Sequence, residues 1–377
     1  MLLSELLRGI VEPDKVFFDM EINSIADDSR NVMSNSVFVC IKGKNYDGHN
    51  FVKSALNSAK PDTIFVIAQN QSGLVESKNI ILVEDTRKVY ALLCKRLYGN
   101  ICDKMQLIAC TGTNGKTSVA TIVNCVLNEA KIKSGMITTI KAEFEDISLI
   151  LDNTTPNPNI LHKIFLQMYQ SGCQAICMEA SSQALDQKRL EGCVFDVAIF
   201  TNLTQDHLDY HKTIENYFNA KKELFKIAKF AVINIDDKFG KKIIESINIP
   251  YFSYSTKDES ADFFADEIKI KQDGVSFLMK YSDINVRMDF PIAGIYSVLN
   301  VLATTATAIH LGISIETIKK TLEKFTGISG RCEKIQADLP FNVFCDYAHT
   351  PDGLLNILKS VKQFTKGRLI LLFGAGG

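Results

Sequence analysis

The sequence predicts an α/β protein built around a nucleotide-binding centre: a small N-terminal α/β domain, a central P-loop-type ATPase domain with a mostly parallel sheet, and an incomplete Rossmann-like C-terminal domain. Three observations carry this reading. Short apolar runs of strand length alternate with helix-like runs along the 377 residues. The loop Thr111-Gly112-Thr113-Asn114-Gly115-Lys116-Thr117 lies between an apolar run at 107–110 and a helix-like run at 118–127. A second apolar run, 175–178, ends in the carboxylate of Glu179.

In the first domain, residues 1–100, apolar runs recur at 36–41, 63–67 and 80–83. Between the first two lies the polar, glycine-containing loop 43–51, with His49 inside it, and before them the cluster Asp28-Ser29-Arg30. Both are open to a ligand-binding or a plain turn reading. Asp85 starts a helical run to about 98, stopped by Gly99-Asn100.

The second domain, 101–330, starts with the phosphate loop. Glycines let backbone N–H groups turn toward phosphate oxygens, and the following helix N-terminus adds unpaired donors and positive dipole. Lys116 reaches the β/γ-phosphates and the Thr117 hydroxyl holds Mg²⁺ in such loops. The spacing is one form shorter than the standard pattern, whose first glycine falls on Cys110. Next come an apolar run at 134–137 continuing to Thr138-Thr139, the polar turn 153–158, a helix at about 159–171, and the strand ending at Glu179. A carboxylate there sits where α/β sheets place ligands; the competing reading is a strand-end Glu facing solvent. The run 194–200 feeds Thr201-Asn202-Leu203-Thr204-Gln205-Asp206-His207-Leu208-Asp209-Tyr210-His211, two of the chain's six histidines within five residues. A helical segment at 217–225, a β-rich stretch at about 231–290 and a long helix at about 297–311 follow.

The third domain, 331–377, begins near Gly330-Arg331. A strand at 341–346, a helix to about 365 and a strand at 368–373 lead to Gly374-Ala375-Gly376-Gly377. One crossover does not make a parallel sheet, so this part reads as the start of a domain cut short.

Composition narrows the class. Hydrophobic residues make up 46% and charged residues 23%, ordinary for a soluble globular protein. A net charge of −1 gives no electrostatic case for nucleic acid or an anionic membrane as partner. The ten cysteines form no C-x-x-C pair and sit mostly in apolar runs, reading as buried thiols of a reducing compartment. The N-terminus lacks the basic and long apolar regions of a signal peptide, and no apolar stretch reaches spanning length. A soluble cytoplasmic enzyme, without membrane or nucleic-acid partner, is the expectation.

Taken in order, several motifs carry a resemblance. These are Gly112 to Thr117; Asn153-Thr154-Thr155-Pro156; Met178-Glu179-Ala180-Ser181-Ser182 with Gln187 and Arg189; Thr201-Asn202-Leu203 through Asp206 to His211; Gly330-Arg331 with Glu333; and Asp346-Tyr347-Ala348-His349-Thr350-Pro351-Asp352. The chain resembles the Mur ligase family of peptidoglycan synthesis over almost its full length. Within it the likeness is to members that add the third amino acid to UDP-N-acetylmuramoyl-L-alanyl-D-glutamate. Related readings are MurF, folylpolyglutamate synthase, or a non-catalytic nucleotide- and UDP-sugar-binding remnant.

The resemblance implies roles. Ser29 and the 43–49 loop lie near the uridine end of a UDP-sugar, and Thr154, Thr155, Ser181, Gln187 and Arg189 contact the muramoyl-peptide. Gly112, Thr113, Asn114, Gly115, Lys116 and Thr117 bind ATP, with Asn300, Arg331, Asp346 and His349 around the adenosine and the domain interface. Thr117, Glu179, His207 and Lys221 serve a Mg²⁺ centre, Lys221 as a carbamate formed with CO₂. Lys116, Lys221 and His207 are the implied catalytic residues. The implied partners are a UDP-N-acetylmuramoyl-dipeptide and a free amino acid, meso-diaminopimelate or L-lysine, acting on a monomer. Position 297 is Ser where the family usually has Asn.

Overall fold

The computed structural model describes residues 1–11, 19–58, 63–69, 77–336 and 338–374, with Asp352 described by its backbone only. The chain divides into two compact units. The first comprises Met1–Lys104, Pro156–Gln170 and Ala184–Cys193; the second comprises Met105–Thr155, Ser171–Gln183 and Val194–Gly377.

In the first unit, strands Ser24–Ala26, Ser36–Val39, Ile64–Ala68 and Ile80–Leu82 form a parallel four-stranded sheet in sequence order. Side chains alternate across it. Val37, Val39, Phe65 and Ile67 join the core under Leu3, Leu6 and Leu93. Phe38, Cys40 and Val66 join Val52 and Ala55 on the other face. Burial of both faces is why these strands read as unbroken apolar runs rather than as alternation. The helix Thr86–Leu97 starts where expected, with the Asp85 side chain accepting from the Arg87 and Lys88 amides.

Two later segments also pack into the first unit, beyond the residues expected there. The helix Pro158–Gln170 lies against Thr86–Leu97. The Tyr98 hydroxyl donates to Asn159 Oδ1 at 2.7 Å, and Asn159 Nδ2 donates to Ile25 O at 2.9 Å. In the segment 184–193, Lys188 pairs with Asp85 at 2.6 Å and the Gly192 carbonyl accepts from Lys95 at 2.7 Å. Such tertiary bonds leave no local sequence signal.

His162, on that helix, is buried with neither ring nitrogen hydrogen-bonded. Burial lowers its pKa from 6.5 to about 4, Lys95 adding to the effect and Asp103 opposing it. A group with a depressed folded-state pKa contributes stability that is intact above 6.5 and is lost as pH falls toward about 4. Between pH 7 and pH 4 this amounts to about 3 kcal/mol. The expected result is that His162→Leu is destabilised less than the wild type over that interval, read as urea midpoints at the two pH values.

The second unit holds an eleven-stranded sheet. Its centre is parallel: Ser134–Ile137, Ala175–Glu179, Gln106–Thr111, Val197–Phe200, Ala231–Asn234 and Tyr251–Ser255, in that spatial order. Phe263–Lys271 extends the parallel set beside Tyr251–Ser255, and antiparallel strands complete both edges, Gly274–Tyr281 and Ile284–Phe290 beyond it and Ala142–Phe144 and Ile147–Leu149 at the other side. The helices Lys116–Glu129 and Ile295–His310 share a core with this sheet through Val119, Val123, Val298 and Leu302. The register sets Cys110 opposite Glu179 and Thr111 opposite Phe200, so three strands end together. From Gln106–Thr111 the chain moves to one side of the sheet, and after Glu179 it crosses to the other. That reversal is the switch point at which open α/β sheets bind ligands.

The second unit also takes in the residues expected to start a third domain. One expectation for the 331–377 region is corrected. The strand expected at 368–373 does not form. Its residues are exposed, and among the described residues they have no ladder partner. An apolar run becomes a strand only when its amides and carbonyls are paired. The short hairpin Glu333–Ile335 with Val343–Cys345 and the helix Pro351–Phe364 do form. The turn 375–377 lies outside the described residues.

Candidate functional site

The phosphate loop closes the end of Gln106–Thr111. Gly112 and Gly115 adopt φ of +150° and +87°. A Cβ at Gly112 would lie 1.9 Å from Thr201 Oγ1, and one at Gly115 2.9 Å from Asn300 Oδ1, so both positions need glycine for space as well as for backbone. The loop is held from the neighbouring strand end. Thr201 Oγ1 and Asn202 Nδ2 donate to the Asn114 carbonyl at 2.7 and 3.0 Å, and Asn202 Oδ1 accepts from the Asn114 amide at 2.9 Å. The Thr113 hydroxyl accepts from the Thr204 amide at 3.0 Å. The motif Thr201-Asn202-Leu203 is thus the buttress of the loop, a task the sequence did not assign to it.

Two lysines meet beneath the loop. Lys116 Nζ donates to the Gly112 and Thr113 carbonyls at 3.0 and 2.8 Å. Lys221, on the helix Ile214–Lys226, is fully buried and donates to the same Gly112 carbonyl at 2.7 Å. Its Nζ lies 4.4 Å from the centre of the Tyr217 ring, whose hydroxyl is 3.2 Å from Thr113 Oγ1. Burial, reinforced by the Lys116 charge, holds the Lys221 pKa well below the ordinary lysine value. A lowered pKa brings the amine nearer to its nucleophilic neutral form.

Beside them lies an oxygen pocket. Thr117 Oγ1 donates to Glu179 Oε1 at 2.7 Å, and Glu179 is completely buried, which removes the solvent-facing reading of this strand-end carboxylate. The Thr139 amide donates to Glu179 Oε1 at 2.8 Å and the Thr139 hydroxyl to Oε2 at 3.0 Å. Arg331 Nη2 donates to Thr117 Oγ1 at 2.9 Å while its guanidinium covers the Tyr347 ring at 4.8 Å. A hydroxyl and a carboxylate fit Mg²⁺, a hard cation that usually takes one or two carboxylates with phosphate oxygens and water. Among the described residues no group of three or more His, Cys, Asp or Glu forms a metal cage.

His207 takes a left-handed backbone, φ +50°, at the start of the short helix Leu208–His211. That conformation is uncommon outside glycine and concentrates at functional sites. Its ring is 45% exposed, 3.5 Å from Asp206 and 6.2 Å from the Tyr217 ring. Partial burial lowers its pKa, Lys116 and Lys221 adding to this and Asp206 opposing it.

The remaining expected residues separate into groups. Asn300 joins the loop at Gly115, as does Arg331 at Thr117. Asp346 accepts from the Cys332 and Ala348 amides, and the exposed His349 bonds the Tyr347 carbonyl; these bonds shape the turn that carries them. Thr154 meets Thr139, hydroxyl to hydroxyl, at 3.1 Å. Thr155, expected at the peptide, also braces the strand end. It is fully buried, donating to the Glu179 carbonyl at 2.8 Å and accepting from the Ser181 amide at 3.0 Å. Ser29, Gln187 and Arg189 belong to the first unit, where Gln187 Oε1 accepts from Arg189 Nη2 at 2.8 Å.

Comparison with known proteins agrees with this geometry. The Mur ligase middle domain family matches residues 110–308, and the Mur ligase glutamate ligase domain family matches residues 330–377. The UDP-N-acetylmuramoyl-L-alanyl-D-glutamate--2,6-diaminopimelate ligase of Clostridium tetani is 39% identical, over 95% of this chain and 74% of that protein. The enzyme of the same name from Clostridioides difficile is 39% identical, over 100% of this chain and 78% of that one. The chain therefore spans about three quarters of the length of these relatives. A solved structure bearing that enzyme name superposes with a TM-score of 0.83 at 26% identity, covering all of this chain and 77% of that one. MurF from Thermotoga maritima in complex with ADP shares the fold, with a TM-score of 0.64 at 20% identity over 91% of this chain and 75% of that one. The chain belongs to the Mur ligase family.

Proposed function

We propose that the chain is an ATP-dependent ligase that joins 2,6-diaminopimelate to UDP-N-acetylmuramoyl-L-alanyl-D-glutamate. The observation that carries this reading is the Thr117–Glu179 oxygen pair set 2.7 Å apart beside a phosphate loop with two lysines beneath it. Mur ligases are ATP-dependent, and the relatives' names supply the substrate.

A carboxylate does not acylate an amine directly, because its leaving group is oxide. In the proposed reaction a carboxylate oxygen of the dipeptide attacks the γ-phosphorus of ATP and ADP leaves. The acyl phosphate is then attacked at carbon by the amine, phosphate departs with that oxygen, and the amine loses a proton. Lys116 places positive charge at the phosphoryl oxygens, and the loop amides orient the nucleotide. Mg²⁺, held by Thr117 and Glu179 with His207 and modified Lys221 as the further proposed ligands, supplies charge neutralisation there. Lys221, whose pKa burial lowers, would add its nitrogen lone pair to CO₂ from its neutral form and release a proton, becoming a carbamate.

The test is incubation with ATP, Mg²⁺, the UDP-muramoyl-dipeptide and either diaminopimelate or L-lysine. The expected outcome is one ADP and one phosphate per amide formed, with diaminopimelate preferred. ATP and UDP-sugar binding without amide formation from either amino acid would leave a binding protein instead.

A further inference from the structure

We propose that Thr139 is a positioning residue that ties the Glu179 carboxylate to the Thr154 hydroxyl and thereby fixes Thr154 as a hydrogen-bond acceptor toward substrate. Thr139 was not among the residues expected from sequence. It lies just past the strand Ser134–Ile137, in a turn closed by a bond from the Thr138 amide to the Lys141 carbonyl at 2.9 Å. That turn aims both its polar groups at Glu179, the amide at Oε1 and the hydroxyl at Oε2.

The direction of the chain follows from proton counting. A hydroxyl has one proton, and a carboxylate only accepts. The Thr139 proton is committed to Glu179 Oε2 at 3.0 Å. The 3.1 Å contact between the Thr139 and Thr154 hydroxyls therefore uses the proton of Thr154. Thr154 is half-buried and reachable, and what it presents outward is lone pairs. A ligand group on Thr154 must be a donor, an amide N–H or a hydroxyl; a carboxylate or phosphoryl oxygen is disfavoured there. Glu179, which accepts from Thr117 and is the proposed oxygen ligand for the cation, is also the terminus that polarises this chain. Cation and substrate affinity are thus coupled through one threonine.

The inference rests on the proposed function only in naming the substrate at Thr154, and its test separates the two. The first readout needs no catalysis: Mn²⁺ binding in the presence of ADP, followed by electron paramagnetic resonance. Thr139→Val is expected to weaken it about tenfold, as loss of a bond to a charged group does, and Thr139→Ser to stay within about twofold of wild type. The second readout is steady-state kinetics. Thr139→Val and Thr154→Val should each raise KM for the UDP-muramoyl-dipeptide about tenfold, the double variant being no worse than the poorer single one. Urea midpoints identify variants that fold, and if Thr139→Val does not, Thr154→Val and Thr139→Ser carry the kinetic comparison. Folded Thr139→Val with wild-type Mn²⁺ affinity and wild-type KM would overturn the inference, as would Thr139→Ser failing as badly as valine. A chain that makes no amide yet shows the Thr139 dependence of Mn²⁺ binding would sink the ligase reading and leave this one standing.

Discussion

Lys116→Ala is expected to lower phosphoryl transfer by at least about 10²–10³-fold, the scale of removing one preorganised charge from a transition state. It should leave binding of the UDP-sugar within about twofold. The reason lies in what surrounds the loop. Lys116 Nζ is already bonded to the carbonyls of Gly112 and Thr113, which holds it at the phosphate loop before any nucleotide arrives. Its neighbour cannot take over, because burial holds Lys221 toward its uncharged form. The residues expected to meet the UDP-sugar and peptide at Ser29, Gln187 and Arg189 lie in the other unit. Single-turnover ADP formation and calorimetry with the UDP-sugar read the two effects separately. Equal loss of both would contradict the division of labour.

The second large effect concerns Lys221. Lys221→Ala and Lys221→Arg should both lose activity by about 10²-fold or more, arginine failing to rescue because a guanidinium does not become a neutral nucleophile. Wild-type activity should fall in CO₂-depleted buffer and return with bicarbonate, and ¹³CO₂ should label the wild type, but not the variants, with a carbamate carbon resonance. Stability provides a check independent of turnover. The folded-state pKa of Lys221 is depressed, so the unfolded chain binds the extra proton over the interval below 10.5. Stability should rise with pH through that interval as the unfolded state's preference for the proton fades. Lys221→Met should flatten the rise, read as urea midpoints in CO₂-free buffer.

How much of this was legible in the sequence depends on how local the cause is. The phosphate loop, the strand before it and the helix after it are set by neighbours in the chain, and they form where the pattern places them. Asp85 as a helix cap is equally local. Glu179 was readable because it ends an apolar run, but its burial was not, since that depends on Thr117 and Thr139 arriving from elsewhere. Thr139 and Asn202 act through partners 40 and 88 residues away, and no periodicity carries such pairings. Thr155 looked like a substrate residue because its motif does. Its hydroxyl also holds the end of the Glu179 strand to the Ser181 amide, a bracing bond that the motif alone does not reveal. The placement of 156–170 and 184–193 with the first unit is the largest feature the sequence hid, since each is joined by side-chain bonds to residues 61 to 134 positions away.

In the proposed reaction the loop delivers the γ-phosphoryl group of ATP to a carboxylate of the peptide. Oxygen tracing tests it directly. With the UDP-muramoyl-dipeptide labelled with ¹⁸O in the glutamate carboxylates and unlabelled ATP and water, each phosphate released during amide formation should carry one ¹⁸O, since the attacking carboxylate oxygen leaves with phosphorus. Phosphate free of ¹⁸O, released alongside amide product, would contradict the account.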